Sequence, residues 1–363
     1  ALEHAFLECD LVITTGGLGP TQDDLTKEIA AKALEEELVL HQPSLDRIVS
    51  YFQRVGRPMT ENNKKQAYLP QSAAIFENNA GTAPGFALEK DGKTIICLPG
   101  PPREMKTMFQ EQAKPYLESK SPYVIYSKML RIFGIGESAV EDALSDLISA
   151  QTDPTLATYA KQGEVALRIT SKRKDSIEAE TAVFQMISQV RERLGNSIYS
   201  LDDEELHQVV GEKLIREEIS ISCAESCTGG LFAATLVNVP GISRVLDRSL
   251  VTYSNEAKRE ELGVHARTLK RFGAVSMETA EEMAEGLRKK TRSRLCISVT
   301  GIAGPEGGTE DKPVGLCFVT AILDDRKITR EFLMRGADRS AKRRYAVLTM
   351  LDLINQMISK NDL

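Results

Sequence analysis

No run of about 18 apolar residues occurs anywhere in the 363-residue chain, so no membrane-spanning helix is expected. No secretory leader is expected. The chain starts at Ala1 without an initiator methionine, and its first residues read as the middle of a helix, so an N-terminal truncation is expected. Positive charge is short: 46 Lys and Arg stand against 52 Asp and Glu, for a net charge of −6. That balance speaks against a protein whose main task is gripping nucleic acid. The six cysteines, at 9, 97, 223, 227, 296 and 317, form no CxxC pair. Several lie in apolar, strand-like runs, which reads as buried free thiols in a reducing cytoplasm. Histidine is scarce as well. His4, His41, His207 and His265 all lie outside the glycine-bearing loops, which argues against a Ser-His-Asp triad.

What is present is ordinary globular composition, 42% apolar and 27% charged, over a length that suggests two or three domains. The focal stretch is Ala-Glu-Ser-Cys-Thr-Gly-Gly at 224–230. Residues 219–224 read as a short buried strand and 231–237 as an apolar helix, so Ser226 sits where a strand hands over to a helix. Thr228 is a candidate N-cap, and Gly229 and Gly230 let backbone N–H groups crowd a ligand. A hydroxyl there suits a nucleophile and the oxyanion it creates.

Earlier in the chain, a strand over 10–15 runs into a glycine-bearing loop, 16–26, which contains Gly16, Gly17, Gly19, Thr21 and Thr26. Such a loop approaches a phosphate. Asp23 and Asp24 follow on it, and paired carboxylates beside a phosphate-type loop point to a hard divalent metal ion. Helices are expected over 26–37 and 43–55, and a hairpin over 86–98 turned at Asp91-Gly92. The stiff Pro-Gly-Pro-Pro stretch, 99–102, feeds a helix over 104–116 and fits a backbone wall around a ligand.

Residues 122–200 read as strand (123–133), helix (137–149), strands (156–159 and 164–171), helix (176–194) and a short end strand (196–199). Gly134-Ile-Gly136 lacks basic glycine-loop chemistry, so this segment is read as a spacer rather than an RNA-binding module. After a helix over 204–217 comes the Ser226 strand, then a strand over 250–253 whose helix Asn255 can cap. Lys258 falls in that helix's first turn, where the dipole lowers an ammonium pKa. A strand over 295–300 leads into a third loop with Thr300, Gly301, Ile302, Ala303 and Gly304, able to hold a nucleotide phosphate without a metal. Asp338 caps a long helix over 340–358, with Arg339 at its mouth. Three loops at carboxyl ends of strands converge as at the crevice of an α/β sheet. With no histidine near, Lys258 is the base available to Ser226, Tyr253 a relay, and Cys227 a rival nucleophile.

The motifs Thr-Thr-Gly-Gly-Leu-Gly-Pro-Thr-Gln-Asp-Asp-Leu-Thr (14–26), Gly-Thr-Ala-Pro-Gly (81–85) and Leu-Pro-Gly-Pro-Pro (98–102) resemble the N-terminal domain of the CinA family, itself similar to molybdopterin-binding proteins. Residues 205–363 resemble that family's C-terminal, nicotinamide mononucleotide deamidase domain. The matching motifs are 224–230, Val-Thr-Tyr-Ser-Asn-Glu-Ala-Lys (251–258), Thr-Gly-Ile-Ala-Gly-Pro (300–305), Lys-Pro-Val-Gly (312–315) and Ala-Asp-Arg (337–339). Two departures stand out: the family's first strand with its Gly-Thr-Glu motif is missing, and Ala337 interrupts the usual Gly-Asp-Arg.

The resemblance implies an α/β chain of three parts: 1–120 molybdopterin-binding-like, 121–200 a KH-like α+β connector, and 205–363 an α/β amidase. It implies hydrolysis of nicotinamide mononucleotide to nicotinate mononucleotide and ammonia, in pyridine nucleotide recycling. Ser226 would be the nucleophile, Lys258 its base, and Tyr253 and Arg339 assistants, with substrate held by 228–230 and 300–304 and no cofactor needed. It also implies a metal-dependent ADP-ribose pyrophosphatase in the N-terminal domain, drawing on Gly16, Gly17, Gly19, Thr21, Thr26, Gly81, Thr82, Pro99 and Gly100, with Asp23 and Asp24 on the metal. A cytoplasmic homodimer, with neither membrane nor nucleic acid as partner, completes the expectation. Two alternatives stay open. Either the pyrophosphatase is the main activity, or the chain is a non-catalytic binding protein of competence or DNA-damage pathways.

Overall fold

The computed structural model describes residues 2–359, which form two compact units divided between Pro122 and Tyr123. The first unit runs α1 (Leu2–Glu8), β1 (Leu11–Thr15), α2 (Thr26–Ala33), β2 (Leu38–Leu40), α3 (Gln42–Arg54), β3 (Tyr68–Pro70), β4 (Ala74–Phe76), β5 (Gly85–Lys90), β6 (Lys93–Leu98), α4 (Pro102–Met108) and α5 (Lys114–Lys120). Its main sheet has the order β1-β6-β5-β4, with β1 and β6 parallel and the other pairs antiparallel. Alternation along β6 feeds two cores. Ile95 and Cys97 pack with Ala30 and Leu34 on one face, and Ile96 and Leu98 pack with Met108 and Ala113 on the other. The β5–β6 hairpin turns at Asp91 and Gly92, both at positive φ, as the Asp-Gly pair predicts. The helix expected over 104–116 begins earlier, with Pro102 in its first turn, and runs to Lys120 through a wide turn at Phe109–Ala113.

The second unit holds two sheets. β7 (Val124–Ile132), α6 (Glu137–Ala143), α7 (Ser145–Ala150), β8 (Thr155–Lys161), β9 (Glu164–Arg173), α8 (Ser176–Leu194) and β10 (Ile198–Ser200) build an antiparallel sheet of order β10-β7-β9-β8. α8 packs Val183, Ile187 and Val190 against it. The single helix expected over 137–149 is broken at Leu144, and the end strand starts at Ile198 because Gly195–Ser197 form a tight helical turn.

Then follow α9 (Leu206–Arg216), β11 (Ile221–Glu225), α10 (Leu231–Leu236), β12 (Leu246–Val251), α11 (Asn255–Leu262), α12 (Ala266–Phe272), α13 (Met277–Thr291), β13 (Leu295–Gly301), β14 (Leu316–Leu323), β15 (Arg326–Leu333) and α14 (Arg339–Ser359). The second sheet has the order β12-β11-β13-β14-β15. β12, β11 and β13 are parallel, so the loops that follow them leave the sheet at one edge. Both faces of the central strands are buried. Ile221, Cys223, Ile297 and Val299 pack under α9, α10 and α14, while Ala224 and Cys296 pack with α11 and α13. No helix of the described residues is long and apolar enough to cross a membrane.

α11 and α13 touch at a glycine. A Cβ built on Gly286 would lie 1.7 Å from the carbonyl oxygen of Leu262. Gly286→Ala should therefore push α13 off α11 and destabilise the second unit by about 2 kcal/mol or more. A thermal melt checks this, and an unchanged melting temperature would refute the contact.

Candidate active site

The Ser226 turn is built from both sides. The Ser226 amide donates to Val299 O of the neighbouring strand at 3.1 Å, and the Gly229 amide donates to Ser226 O at 3.1 Å. Gly229 and Gly230 both take positive φ, which this reversal requires. The cap of α10 differs from expectation. Gly230, not Thr228, is the N-cap residue, and Thr228 contributes its carbonyl to the Leu231 amide. The capping side chain is Glu225, fully buried at the end of β11. Its carboxylate accepts from the amides of Phe232 (3.1 Å) and Ala233 (3.0 Å) and from Ser249 Oγ (3.2 Å). The amides of Cys227, Thr228 and Gly230 have no acceptor among the described residues.

Lys258 comes from the next loop. The N-cap of α11 is Ser254, whose Oγ accepts from the Ala257 amide, and Asn255 is the first helical residue rather than the cap. Lys258 is only 1% exposed. Its Nζ donates to Ser226 Oγ at 2.9 Å, to Thr252 O at 2.8 Å and to Tyr253 O at 3.3 Å. Three neutral acceptors hold it, and no carboxylate of the described residues pairs with it. Burial pulls its pKa down from the usual lysine value to about 8, opposed only by the neighbouring Cys227 thiol. This is a lysine that loses its proton within reach of a hydroxyl.

The rival nucleophile is placed differently. Cys227 points into the core with Cys317, whose own thiol is pushed up by burial and by Cys227. The four histidines pair elsewhere: His4 with Glu8, His41 with Ser44, His207 with Glu205 and His265 with Glu282.

Arg339 ties the rim together, donating to Tyr253 Oη at 2.8 Å and to Gly304 O at 2.5 Å. The Asp338 carboxylate accepts from the Ala341 amide at 2.7 Å and so caps α14, fixing Arg339 despite the extra Ala337. Of the third loop, Thr300 spends its hydroxyl on Ala274 O (2.7 Å), Gly301 is paired within β13, Ile302 donates its amide to Leu316 O (2.8 Å), and Ala303 is buried. The Gly304 carbonyl joins the rim through Arg339. Tyr253 meets Lys258 through its main-chain oxygen, while its phenol serves Arg339. Residues missed from sequence are Glu225, Arg343, whose Nε reaches Thr228 O at 3.2 Å, and Thr252. The side-chain oxygens of Thr228 and Thr252 are buried without a partner. A charge ending an otherwise apolar strand, and an arginine one turn beyond Arg339, were the available signals.

In the first unit, the Gly16 amide donates to Leu98 O (2.9 Å), and a Cβ on Gly100 would lie 3.3 Å from the Gly16 Cα. The loop at 16–26 thus meets the wall at 99–102, where Pro99 is buried. A Cβ on Gly17 would overlap Thr26 Oγ1, and one on Gly19 would overlap the Asp24 carboxylate. The Thr26 amide closes this loop on Gly17 O at 3.1 Å. Gly81 packs on Glu104 of α4, with Thr82 half-buried beside it. Asp24 Oδ2 accepts from the amide of Thr21 at 2.9 Å and from its hydroxyl, and these bonds hold its pKa down. Asp23 is exposed, and no three acidic, imidazole or thiol groups of the described residues converge. An ion held by these two carboxylates would have to take its remaining ligands from water and a substrate's phosphates, the habit of Mg²⁺.

The sequence matches three described families: the CinA C-terminal domain over 203–358, the probable molybdopterin binding domain over 1–119, and the damage-inducible protein CinA KH domain over 127–200. It is 49% identical over 356 residues to an Acetivibrio thermocellus chain provisionally named a competence-damage inducible protein, spanning 98% of this chain and 86% of that one. A CinA-like protein of Dictyoglomus turgidum is 48% identical over 356 residues with the same coverage. The solved competence/damage inducible protein CihA of Agrobacterium tumefaciens is 37% identical, covers 43% of this chain and 97% of its own, and superposes with a TM-score of 0.41.

The uncompensated Lys258 has a thermodynamic signature. Its folded pKa lies below its unfolded one, so between about 8 and 10.5 the folded chain holds fewer protons and stability rises with pH. Relative to Lys258→Met, the wild type should gain about 2 kcal/mol between about pH 7 and about pH 9.5. Denaturant titrations of both proteins at the two pH values measure this, and a difference that does not move with pH would mean the lysine is compensated.

Proposed function

The chain belongs to the CinA family, and from that premise we propose that its C-terminal part is a serine–lysine amidohydrolase converting nicotinamide mononucleotide to nicotinate mononucleotide and ammonia. The observation that carries this reading is the 2.9 Å contact between Ser226 Oγ and a buried Lys258 Nζ with no carboxylate partner.

In this reading neutral Lys258 takes the Ser226 proton as Oγ bonds to the carboxamide carbon. The oxyanion is met by the free amides of the 226–230 turn. Collapse breaks the C–N bond, and the Lys258 proton goes to the leaving nitrogen, which departs as ammonia. Lys258 then takes a proton from water, whose oxygen bonds to the ester carbon; collapse breaks the bond to Ser226 Oγ, Lys258 returns its proton to that oxygen, and the acid product loses its own proton to solvent as the carboxylate. Tyr253 and Arg339 line the entrance and orient the nucleotide. The chemistry needs no metal.

A second reading covers the first unit as a metal-dependent ADP-ribose pyrophosphatase, favoured by the meeting of its 16–26 and 99–102 loops at the carboxyl ends of β1 and β6. Asp23 and Asp24 would hold the ion, which would supply charge neutralisation at the phosphates.

Ser226→Ala should remove nearly all ammonia release. Lys258→Arg should fail almost as badly as Lys258→Ala, because a guanidinium does not deprotonate in this range. The double variant should be little worse than either single one. Cys227→Ala should keep most activity, and the rate should climb with pH through about 8. An active Ser226→Ala with a dead Cys227→Ala overturns the assignment. Ammonia release should survive a chelator, whereas ADP-ribose cleavage should be lost with chelator and in Asp24→Asn. Neither activity in the wild type would favour a binding protein in a competence or damage response.

A further inference from the structure

The turn that carries Ser226 has little of its own to hold it. Gly229 and Gly230 both take positive φ and bring no side chains. Thr228 is fully buried, yet its hydroxyl has no partner. Cys227 packs into the core. Among the described residues a single side chain hydrogen-bonds to the main chain of 226–230, and it comes from 115 positions away. Arg343 of α14 donates from both Nε (3.2 Å) and Nη2 to Thr228 O.

The bond continues into the nucleophile. Thr228 O belongs to the same peptide as the Gly229 N–H, which donates to Ser226 O at 3.1 Å. Thr228 O also accepts from the Leu231 amide at 3.2 Å. The guanidinium thus heads a chain that runs through one peptide unit to the serine's own carbonyl, and each bond in such a chain polarises the next. A Cβ built on Gly229 would lie 3.6 Å from Arg343 Nη2, so the cation lies against the turn itself. No carboxylate of the described residues pairs with Arg343, and its charge is left to the carbonyl. The helix behind it is anchored. Ala346, Val347 and Met350 pack in the core shared with Ile221 of β11 and Val299 of β13. Arg339 lies one turn earlier, so α14 holds the rim with one arginine and the nucleophile turn with the next.

We propose that Arg343 is a positioning residue for the nucleophile: through the 228–229 peptide it holds Ser226 Oγ against Lys258 Nζ, acting on the turn rather than on the substrate. The role rests on the serine–lysine reading, but not on which amide is the substrate.

Two readouts on the full chain test it. One is turnover of nicotinamide mononucleotide. The other is the rate at which a fluorophosphonate probe, which phosphonylates an activated serine with loss of fluoride, labels Ser226. Arg343→Ala should lower kcat and the labelling rate about a hundredfold, the cost of a misplaced reacting group, with KM changed by about twofold at most. Arg343→Lys should recover part of both losses, and guanidinium added at a non-denaturing concentration should restore Arg343→Ala but not Lys258→Ala. The rise of rate with pH should keep its midpoint at about 8, because burial and not Arg343 shifts Lys258. Wild-type kcat in Arg343→Ala, or a raised KM at unchanged kcat, overturns the role. So does a loss that follows a lowered melting temperature and that neither lysine nor guanidinium relieves, which is what a purely structural arginine gives. If Arg343→Ala slows labelling of Ser226 while the wild type releases no ammonia from nicotinamide mononucleotide, the role stands and the substrate reading falls. If both proteins deamidate nicotinamide mononucleotide equally, the role falls and the substrate reading stands.

Discussion

The active centre depends on keeping two buried charges apart. Glu225, the last residue of β11, and Lys258, in the first turn of α11, both lie in the interior, and they do not pair. Had they paired, the carboxylate would stabilise the ammonium and raise its pKa, and the lysine would keep its proton well above about pH 8. Instead Glu225 is saturated by the first amides of α10 and by Ser249, and Lys258 is left with carbonyls and a hydroxyl. The cap that closes the nucleophile turn is thus also what withholds a counter-ion from the base. A buried ammonium without one is costly, and the large apolar layers around the central sheet supply the stability that tolerates it.

How much of this could be read from the residues follows the range of the interaction. The hairpin at Asp91-Gly92 and the glycine turns rest on local chemistry and appear where the sequence puts them, whereas the strand expected over 250–253 lies earlier, at Leu246–Val251, and the end strand expected over 196–199 lies at Ile198–Ser200. The caps went wrong by a residue or two. Any Ser, Thr or Asn near a helix start is a plausible cap, and at α11 the choice of Ser254 over Asn255 depends on where the strand releases the chain. At α10 no local rule would select Glu225, because its carboxylate reaches forward seven and eight residues across a turn. Arg343 was invisible for the same reason, since its contact with Thr228 spans 115 positions. The pairing of Ser226 with Lys258 was reached by scarcity, with histidine absent from the loops. The geometry adds a side chain buried on a helix's first turn and hydrogen-bonded to the neighbouring turn.

The first unit offers a control within the same chain. Lys27 of α2 is as buried as Lys258, and burial pulls its pKa down to about 8 as well. Its Nζ, however, donates to the carbonyl of Lys65, and no hydroxyl or thiol is bonded to it. Lys65 in turn reaches the carbonyls of Asp24 (2.7 Å) and Thr21 (3.0 Å), so the two lysines lace the 16–26 loop to the segment at 61–67. A depressed lysine pKa therefore appears twice, once as scaffolding and once beside a nucleophile. What separates the cases is the acceptor at the end of the side chain. A carbonyl fixes a loop, whereas a serine hydroxyl on a glycine turn puts the same physical shift where the proposed reaction needs a base.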